Sequence, residues 1–303
     1  MKPEPKYELQ IAQGKNEIRV DRANFMAMTK IIKRYSSILF NMLNGNYTLS
    51  LALASSIPEH LSFLGFLPKR ITLSDGIKLV LNSPATLYYN IIGEYEWPEY
   101  TRFEEFVPRH GNIVFDVGAY VGIYTLRSAK KVGDNGRVYA FEPNPSPFIH
   151  LVSNVKINRI RNVSCFFTAL GDRIGKTCFY TFDEKNINLE SSSLFKSHLK
   201  KWNKGFTKTE VNMTTLDNVV KQLGLSRIDI AKIDVEGAEE IVLRGAKNTL
   251  SDGIIDKLIV EAHEYDIPSK KTVELISAFN YQVKHMARHP SGVKCIIYAK
   301  LAR

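Results

Sequence analysis

The stretch Ile113 to Lys131 constrains the fold more than any other part of this chain. Ile113-Val-Phe-Asp-Val117 is short and apolar enough to be a strand buried on both faces. It runs directly into Asp116-Val-Gly118-Ala-Tyr-Val-Gly122, and Ile123 to Lys131 then follows a helical period. Glycines let the backbone turn sharply and approach a ligand closely. The helix that follows presents N–H groups with no partner inside the helix, a place for an anion. Strand, glycine loop and helix in this order predict an open parallel sheet with a nucleotide at the carboxyl ends of its strands.

The pattern repeats downstream. Arg137-Val-Tyr-Ala-Phe-Glu142 predicts a second strand, with a helix near Pro147 to Asn158, and Val163 to Ala169 a third. After a long interruption, Gly171 to Met213, come a fourth strand ending at Asp234, a helix over Glu239 to Leu250 and a fifth strand, Lys257-Leu-Ile-Val-Glu261. Short apolar strands separated by helices imply βαβ units and a parallel sheet. The end differs: after a helix at Lys271 to Phe279, Tyr281 to Ala287 and Val293 to Leu301 flank His289-Pro-Ser-Gly292. That is a hairpin, so the last strand is expected to run antiparallel. Upstream, Arg70-Ile-Thr-Leu and Ile77-Lys-Leu-Val-Leu flank the turn Ser74-Asp75-Gly76. The acidic, aromatic stretch Glu94 to Tyr100 then leads into a short helix expected to end near His110-Gly111. Residues 23 to 66 read as helices broken at Asn44-Gly45-Asn46 and at Pro58. The expected organisation is a helical N-terminal extension over residues 1–69 and an α/β domain over 70–303, with 171–213 a substrate-facing insertion.

Composition narrows the setting. The net charge of +10 lies mostly after residue 110, which suits an anionic partner or serves solubility. Three scattered cysteines, Cys165, Cys178 and Cys295, form neither a metal-spaced cluster nor a disulfide framework, and this fits a cytoplasmic protein. The most apolar stretch, Leu49 to Ile57, is far short of a membrane span, which leaves only a peripheral membrane contact open.

The loop also discriminates between nucleotides. The dinucleotide pattern Gly-x-Gly-x-x-Gly is absent, and Asp116 stands beside the place where a pyrophosphate would lie. An amino acid joined to a nucleoside suits the site better, its ammonium and sulfonium being cationic and its carboxylate able to take the helix N-terminus. Glu142, ending the second strand, is placed to accept both hydroxyls of a ribose.

Five segments carry a family resemblance: Val114 to Leu126, Val138 to Pro145, Thr168-Ala-Leu-Gly-Asp172, Thr214-Thr-Leu-Asp217 and Ile228 to Glu239. Together they closely resemble the FkbM-type methyltransferases. The resemblance implies a class I, Rossmann-like S-adenosylmethionine (SAM)-dependent fold, with a mostly parallel seven-stranded sheet, and methylation of a hydroxyl oxygen. It implies cofactor contacts at Asp116, Gly118, Tyr120, Gly122, Thr125, Glu142 and Asn144, with Ala169 and Leu170 flanking the adenine and Asp172 accepting from its amino group. Tyr120 departs from the pattern, since the family more often has Asn there.

The fourth strand brings Lys232, Asp234 and Glu236 to the same rim, and the fifth brings Glu261 and His263. Methyl transfer to oxygen needs a positioned acceptor and a base for its proton. Asp234 and His263 are the candidate bases, the histidine the better matched near neutral pH. Lys232 keeps the neighbouring acid ionised, and Glu236 completes the catalytic set, with helix capping as the bland alternative. Asp234, Glu236 and His263 could share a metal, but no spacing demands one and none is assigned. The run Lys196 to Lys208, five lysines with Trp202 and Phe206 and no acid, offers a place for an anionic acceptor or is a solvated face. The acceptor is expected to be a small molecule or glycan; nucleic acid fits the charge but is not favoured. An RNA methyltransferase and a non-catalytic SAM-binding protein remain the competing readings. A short-chain dehydrogenase is disfavoured because no tyrosine has a lysine four residues on.

Overall fold

The computed structural model describes residues 70–73, 75–80, 99–182, 193–194, 206–263, 269–288 and 294–302. The helices expected over residues 23 to 66, and the rest of the extension to residue 69, lie outside the described residues. So do residues 196–205 of the lysine run.

The expected first strand is β3 (Ile113–Val117), and its neighbours β4 (Arg137–Phe141) and β9 (Ile228–Ile233) pair with it in parallel. With β5 (Val163–Phe166), β10 (Ile255–His263), β11 (Tyr281–Arg288) and β12 (Lys294–Leu301) they form a seven-stranded sheet of order β11-β12-β10-β9-β3-β4-β5. The sequence order reverses between β3 and β9, so the crevice opens beside the glycine loop, where such sheets bind ligands. β12 lies between β10 and β11, antiparallel to both, as the terminal hairpin predicts. One core packs β3, β9 and β10 residues such as Phe115, Ile233 and Val260 against the helices of one face, and a second packs Val114, Ile230 and Ile259 around Tyr100, Phe106 and Tyr298. A sheet buried on both faces explains the unbroken apolar strands.

Helices are placed by their caps. α1 (Ile123–Val132) starts from Gly122 in the left-handed region, and no side chain caps it. α2 (Pro145–Ile157) is capped by Asn144, which accepts from Ser146 N, with Pro145 at its first position. α3 (Leu216–Leu223) starts at Thr215 and ends at left-handed Gly224. The single helix expected over Glu239 to Leu250 is instead two: α4 (Glu239–Arg244) and α5 (Lys247–Ser251). A Cβ on Gly245 would fall 1.8 Å from Gly171 O, so the chain bends where it crosses the insertion's first residue. Asp217 then caps the new helix through Asn248 N and Thr249 N. α6 (Ser269–Ser277) is the last helix among the described residues.

Two further expectations are corrected. The third strand does not run to Ala169: β5 stops at Phe166, and β6 (Ala169–Leu170) pairs with β8 (Phe206–Thr214) in a separate sheet with β7 (Gly175–Phe182). The insertion thus takes part in a second, mixed sheet, in which β8 is parallel to β6 and antiparallel to β7. No helix reaches His110-Gly111; the chain makes one 3-10 turn at Glu104–Phe106. The hairpin of β1 (Arg70–Thr72) and β2 (Lys78–Val80) forms as expected. It is pinned to the domain by polar contacts. Asp75 pairs with Arg127 at 2.7 Å, and Asn158 and Asn154 on α2 accept from Lys78 N and Val80 N.

Candidate functional site

Asp116 and Lys232 are partners in the β3–β9 register, so their side chains leave the same face of the sheet. Both are buried. Lys232 Nζ donates to Gly118 O at 2.9 Å and lies 3.3 Å from Asp116 Oδ1 and 3.4 Å from Asp234 Oδ2. Thr125 Oγ1 donates to Asp116 Oδ2 at 2.5 Å. Burial pushes the Asp116 carboxyl above its ordinary range, and the nearby Lys232 and Thr125 oppose it. Asp116 and Thr125 are fully enclosed and hold the glycine loop from beneath.

The loop itself admits no side chain where it matters. A Cβ on Gly118 would lie 1.7 Å from Asp234 O, and one on Gly122 would lie 2.4 Å from Leu151 Cδ1. Both glycines have positive φ. The first contact joins the cofactor loop to the Asp234 loop, and the second presses α1 onto α2. Tyr120 also has a positive φ, 52°, and its ring packs beside Leu73, Ile77 and Leu79 of the hairpin. Asparagine is the side chain that best tolerates this backbone region after glycine. The departure at Tyr120 therefore trades backbone ease for packing.

Glu142 takes two backbone N–H groups, Oε2 from Tyr120 and Oε1 from Asn144, each at 2.8 Å. Burial pushes its carboxyl up to about 7 against these two hydrogen bonds. Each oxygen keeps a lone pair for a ribose hydroxyl. Glu142 N donates to Phe166 O, which ties this acid to the end of β5. Ala169 and Leu170 follow, their side chains enclosed in core clusters, while Asp172 is exposed beside Arg173.

The opposite wall is a cluster of acids around one imidazole. His263 Nδ1 donates to Glu239 Oε1 at 2.9 Å, and Nε2 faces Glu236 at 3.4 Å and Glu261 at 3.7 Å. Burial works against charge on His263, but Glu236, Glu239 and Glu261 together raise its pKa well above the usual value. The three acids favour the imidazolium form, which has no lone pair to accept a proton, and this weighs against the histidine as base. Burial works against charge on Asp234 too, yet Lys232, His263, Lys294 and the Tyr100 hydroxyl hold its carboxyl below its ordinary range. Asp234, Glu236 and His263 each offer a metal-ligand atom within 4.8 Å of the others. Glu236 is held in a left-handed conformation, with Ser193 Oγ of the insertion donating to its carbonyl at 2.7 Å. Ser193 itself is buried.

Three residues of this wall are absent from the expected set: Tyr100, Glu239 and Lys294. Glu239 stands in the Asp234-to-Glu239 motif but reads there as a helix-capping acid. Tyr100 and Lys294 carry no local signal, reaching Asp234 and Glu261 from distant elements.

The residues fit SAM: a glycine cradle, an uncapped helix start of ten residues, and a buried carboxylate on the neighbouring strand. Site and sheet order together define a SAM-dependent methyltransferase of the Rossmann-like class. Residues 116–286, more than half of the chain, match the family described as Methyltransferase FkbM domain, and the chain belongs to that family. It is 28% identical over 198 residues to 31-O-demethyl-FK506 methyltransferase FkbM of Streptomyces tacrolimicus, covering 58% of this chain and 74% of that protein. Methyltransferase 1 of Beauveria bassiana is 26% identical over 199 residues (60% and 78% covered). The 2-O-methyltransferase NoeI of Sinorhizobium fredii is 26% identical over 193 residues (60% and 76% covered). Among the described residues no helix is long and apolar enough to cross a membrane.

Proposed function

We propose that this chain methylates a hydroxyl oxygen of a glycan, a lipid-linked sugar or a small metabolite. SAM supplies the methyl group, carried on a cationic sulfonium. Glu142 holds the ribose, Asn144 fixes Glu142, and Gly118, Tyr120 and Gly122 with the first turn of α1 receive the amino-acid end. The backbone of Ala169 and Leu170 and the Asp172 carboxylate stand at the adenine. Asp116 and Thr125 act on the cofactor indirectly, by bracing the loop.

The observation that carries this reading is Asp234. It is ionised, its backbone touches the cofactor loop, and its Oδ1 has no hydrogen-bond partner. A carboxylate so placed can take the acceptor's proton as the new bond forms. Lys232 holds it, and the Glu236–His263–Glu239 cluster fixes the loop that presents it. The names of two relatives, a 2-O-methyltransferase and a 31-O-demethyl-FK506 methyltransferase, support oxygen as the atom methylated. Three free cysteines agree with a cytoplasmic setting.

Calorimetric titration with SAM, followed by transfer of labelled methyl to a panel of glycosides and polyols, tests the proposal. The wild type is expected to bind and transfer, and Asp234→Asn to bind but transfer about 100-fold more slowly or worse. Binding without transfer to any acceptor would favour a non-catalytic SAM-binding protein.

A further inference from the structure

Tyr100 is a buried phenol to which the reading above gives no task. Its hydroxyl lies 2.9 Å from Asp234 Oδ2 and 2.8 Å from Glu261 Oε2, so two carboxylates meet at one phenol oxygen. A phenol has a single proton to donate. If both carboxylates are ionised, one of these contacts sets lone pairs against lone pairs. Both become hydrogen bonds only when a second proton sits on one of the carboxyls and is donated to the phenol oxygen. The arrangement is shaped for one proton more than a phenol and two carboxylates bring to it.

Methylation of a hydroxyl releases one proton. As the acceptor oxygen bonds the methyl carbon it loses its hydrogen, while sulfur keeps the electron pair of the broken S–C bond. A sulfonium charge is thus exchanged for a proton. Resting on the O-methylation reading, we infer that Tyr100, Asp234 and Glu261 form a proton-sharing trio that takes up the acceptor's proton as the sulfonium charge disappears. Asp234 receives the proton, and Tyr100 is the positioning residue that spreads it toward Glu261.

The surroundings fit this task. Lys232 on β9 lies 3.4 Å from Asp234 Oδ2 and 5.2 Å from the centre of the Tyr100 ring, and Lys294 on β12 lies 2.9 Å from Glu261 Oε1. Asp116 on β3 faces Lys232, and Tyr124 on α1 sets its ring edge-on to Tyr100. His263 stands beside Glu261 on β10, with Glu236 beyond it, and Glu99 shares Lys294. Lys232, Lys294 and the His263 ring thus set three cationic side chains around the trio, to which a bound sulfonium would add a fourth. Removing that fourth cation raises its proton affinity. The link to the cofactor is direct, since Lys232 also donates to Gly118 O in the glycine loop.

S-adenosylhomocysteine carries the same ribose, adenine and amino-acid groups as SAM without the sulfonium charge. Calorimetry in buffers of differing ionisation enthalpy counts the protons taken up when each binds. As pH falls from neutral toward the acid range in which the trio titrates, S-adenosylhomocysteine is expected to take up more protons than SAM, and its affinity relative to SAM to rise. Any proton linked to Glu142 is common to both ligands and cancels. Tyr100→Phe keeps the ring and removes the bridge, and Glu261→Gln removes the far acceptor. Each should erase the difference while SAM binding stays measurable. Equal uptake for the two ligands in the wild type overturns the trio, and so does a difference that survives both substitutions. If thermal melting shows Tyr100→Phe unfolded, the wild type and Glu261→Gln decide. A wild type that fails to bind SAM overturns instead the cofactor site on which the inference rests.

Discussion

Glu142 holds the loop through two backbone amides and still has to receive a ribose, and these tasks set its response to pH. Its folded value of about 7 is raised above the ordinary 4.5. Ribose hydroxyls donate to the ionised form, so cofactor binding works against the proton. SAM affinity is expected to fall up to about tenfold per unit as pH drops below 7, and to level off above it. Calorimetry across that range checks this, and a flat profile would contradict the ribose assignment. Tyr120 makes a different point. Its contact with Glu142 runs through the backbone N–H, which any residue supplies if it accepts the left-handed conformation. Tyr120→Asn is therefore expected to bind SAM within about threefold of wild type, relieving strain of about 1–2 kcal/mol while losing ring packing. Tyr120→Val, branched at Cβ, is expected to bind more weakly. The departure at Tyr120 was legible in the sequence; its cause, a backbone angle, was not.

Between elements, the β1–β2 hairpin is bound to the cofactor loop through one side chain. Asn154 on α2 accepts from Val80 N at 2.7 Å and donates to Val121 O at 2.8 Å, with no exposure to solvent. Asn154→Leu strands both backbone groups, at about 1–3 kcal/mol each. The expected result is faster hydrogen exchange at Val80 together with weaker SAM binding. Exchange that rises with SAM affinity intact would show the hairpin to be independent of the loop. Legibility follows the range of the interactions at this scale. β3, β4, β9 and β10 were readable because a parallel strand buried on both faces is a local apolar run. The break at Gly245 was not, because it depends on Gly171, which the chain brings there from beyond β8. Nor was the end of β5, where an apolar pattern continues past the point at which the partner strand changes. Asp234, Glu236 and His263 lie on readable strand ends, whereas Tyr100 reaches Asp234 across 134 residues of sequence.

At the scale of the whole molecule, a chain of net charge +10 carries a local acidic cluster, Glu236, Glu239 and Glu261, gathered around His263. Its folded pKa lies above the ordinary 6.5, so its contribution to stability is complete below 6.5 and is lost as pH rises through the folded value. His263→Gln leaves buried acids without their cation, which costs about 3–5 kcal/mol for a buried pair. The melting temperature is expected to fall by about 6–20 °C in mildly acidic solution, with the gap to wild type narrowing as pH rises. A gap that widens instead would mean that His263 is neutral in the fold. The order of the sheet has a consequence for how this site comes into being. β12 lies between β10 and β11, and its Lys294 is what anchors Glu261. A chain emerging from the ribosome therefore carries an open β10 edge until residues 294–301 are made, so the strand bearing Glu261 and His263 stays ready to pair with other chains throughout. The wall around His263 is sealed only once β12 has been made, and a ribosome that stalls after β11 leaves behind an aggregation hazard.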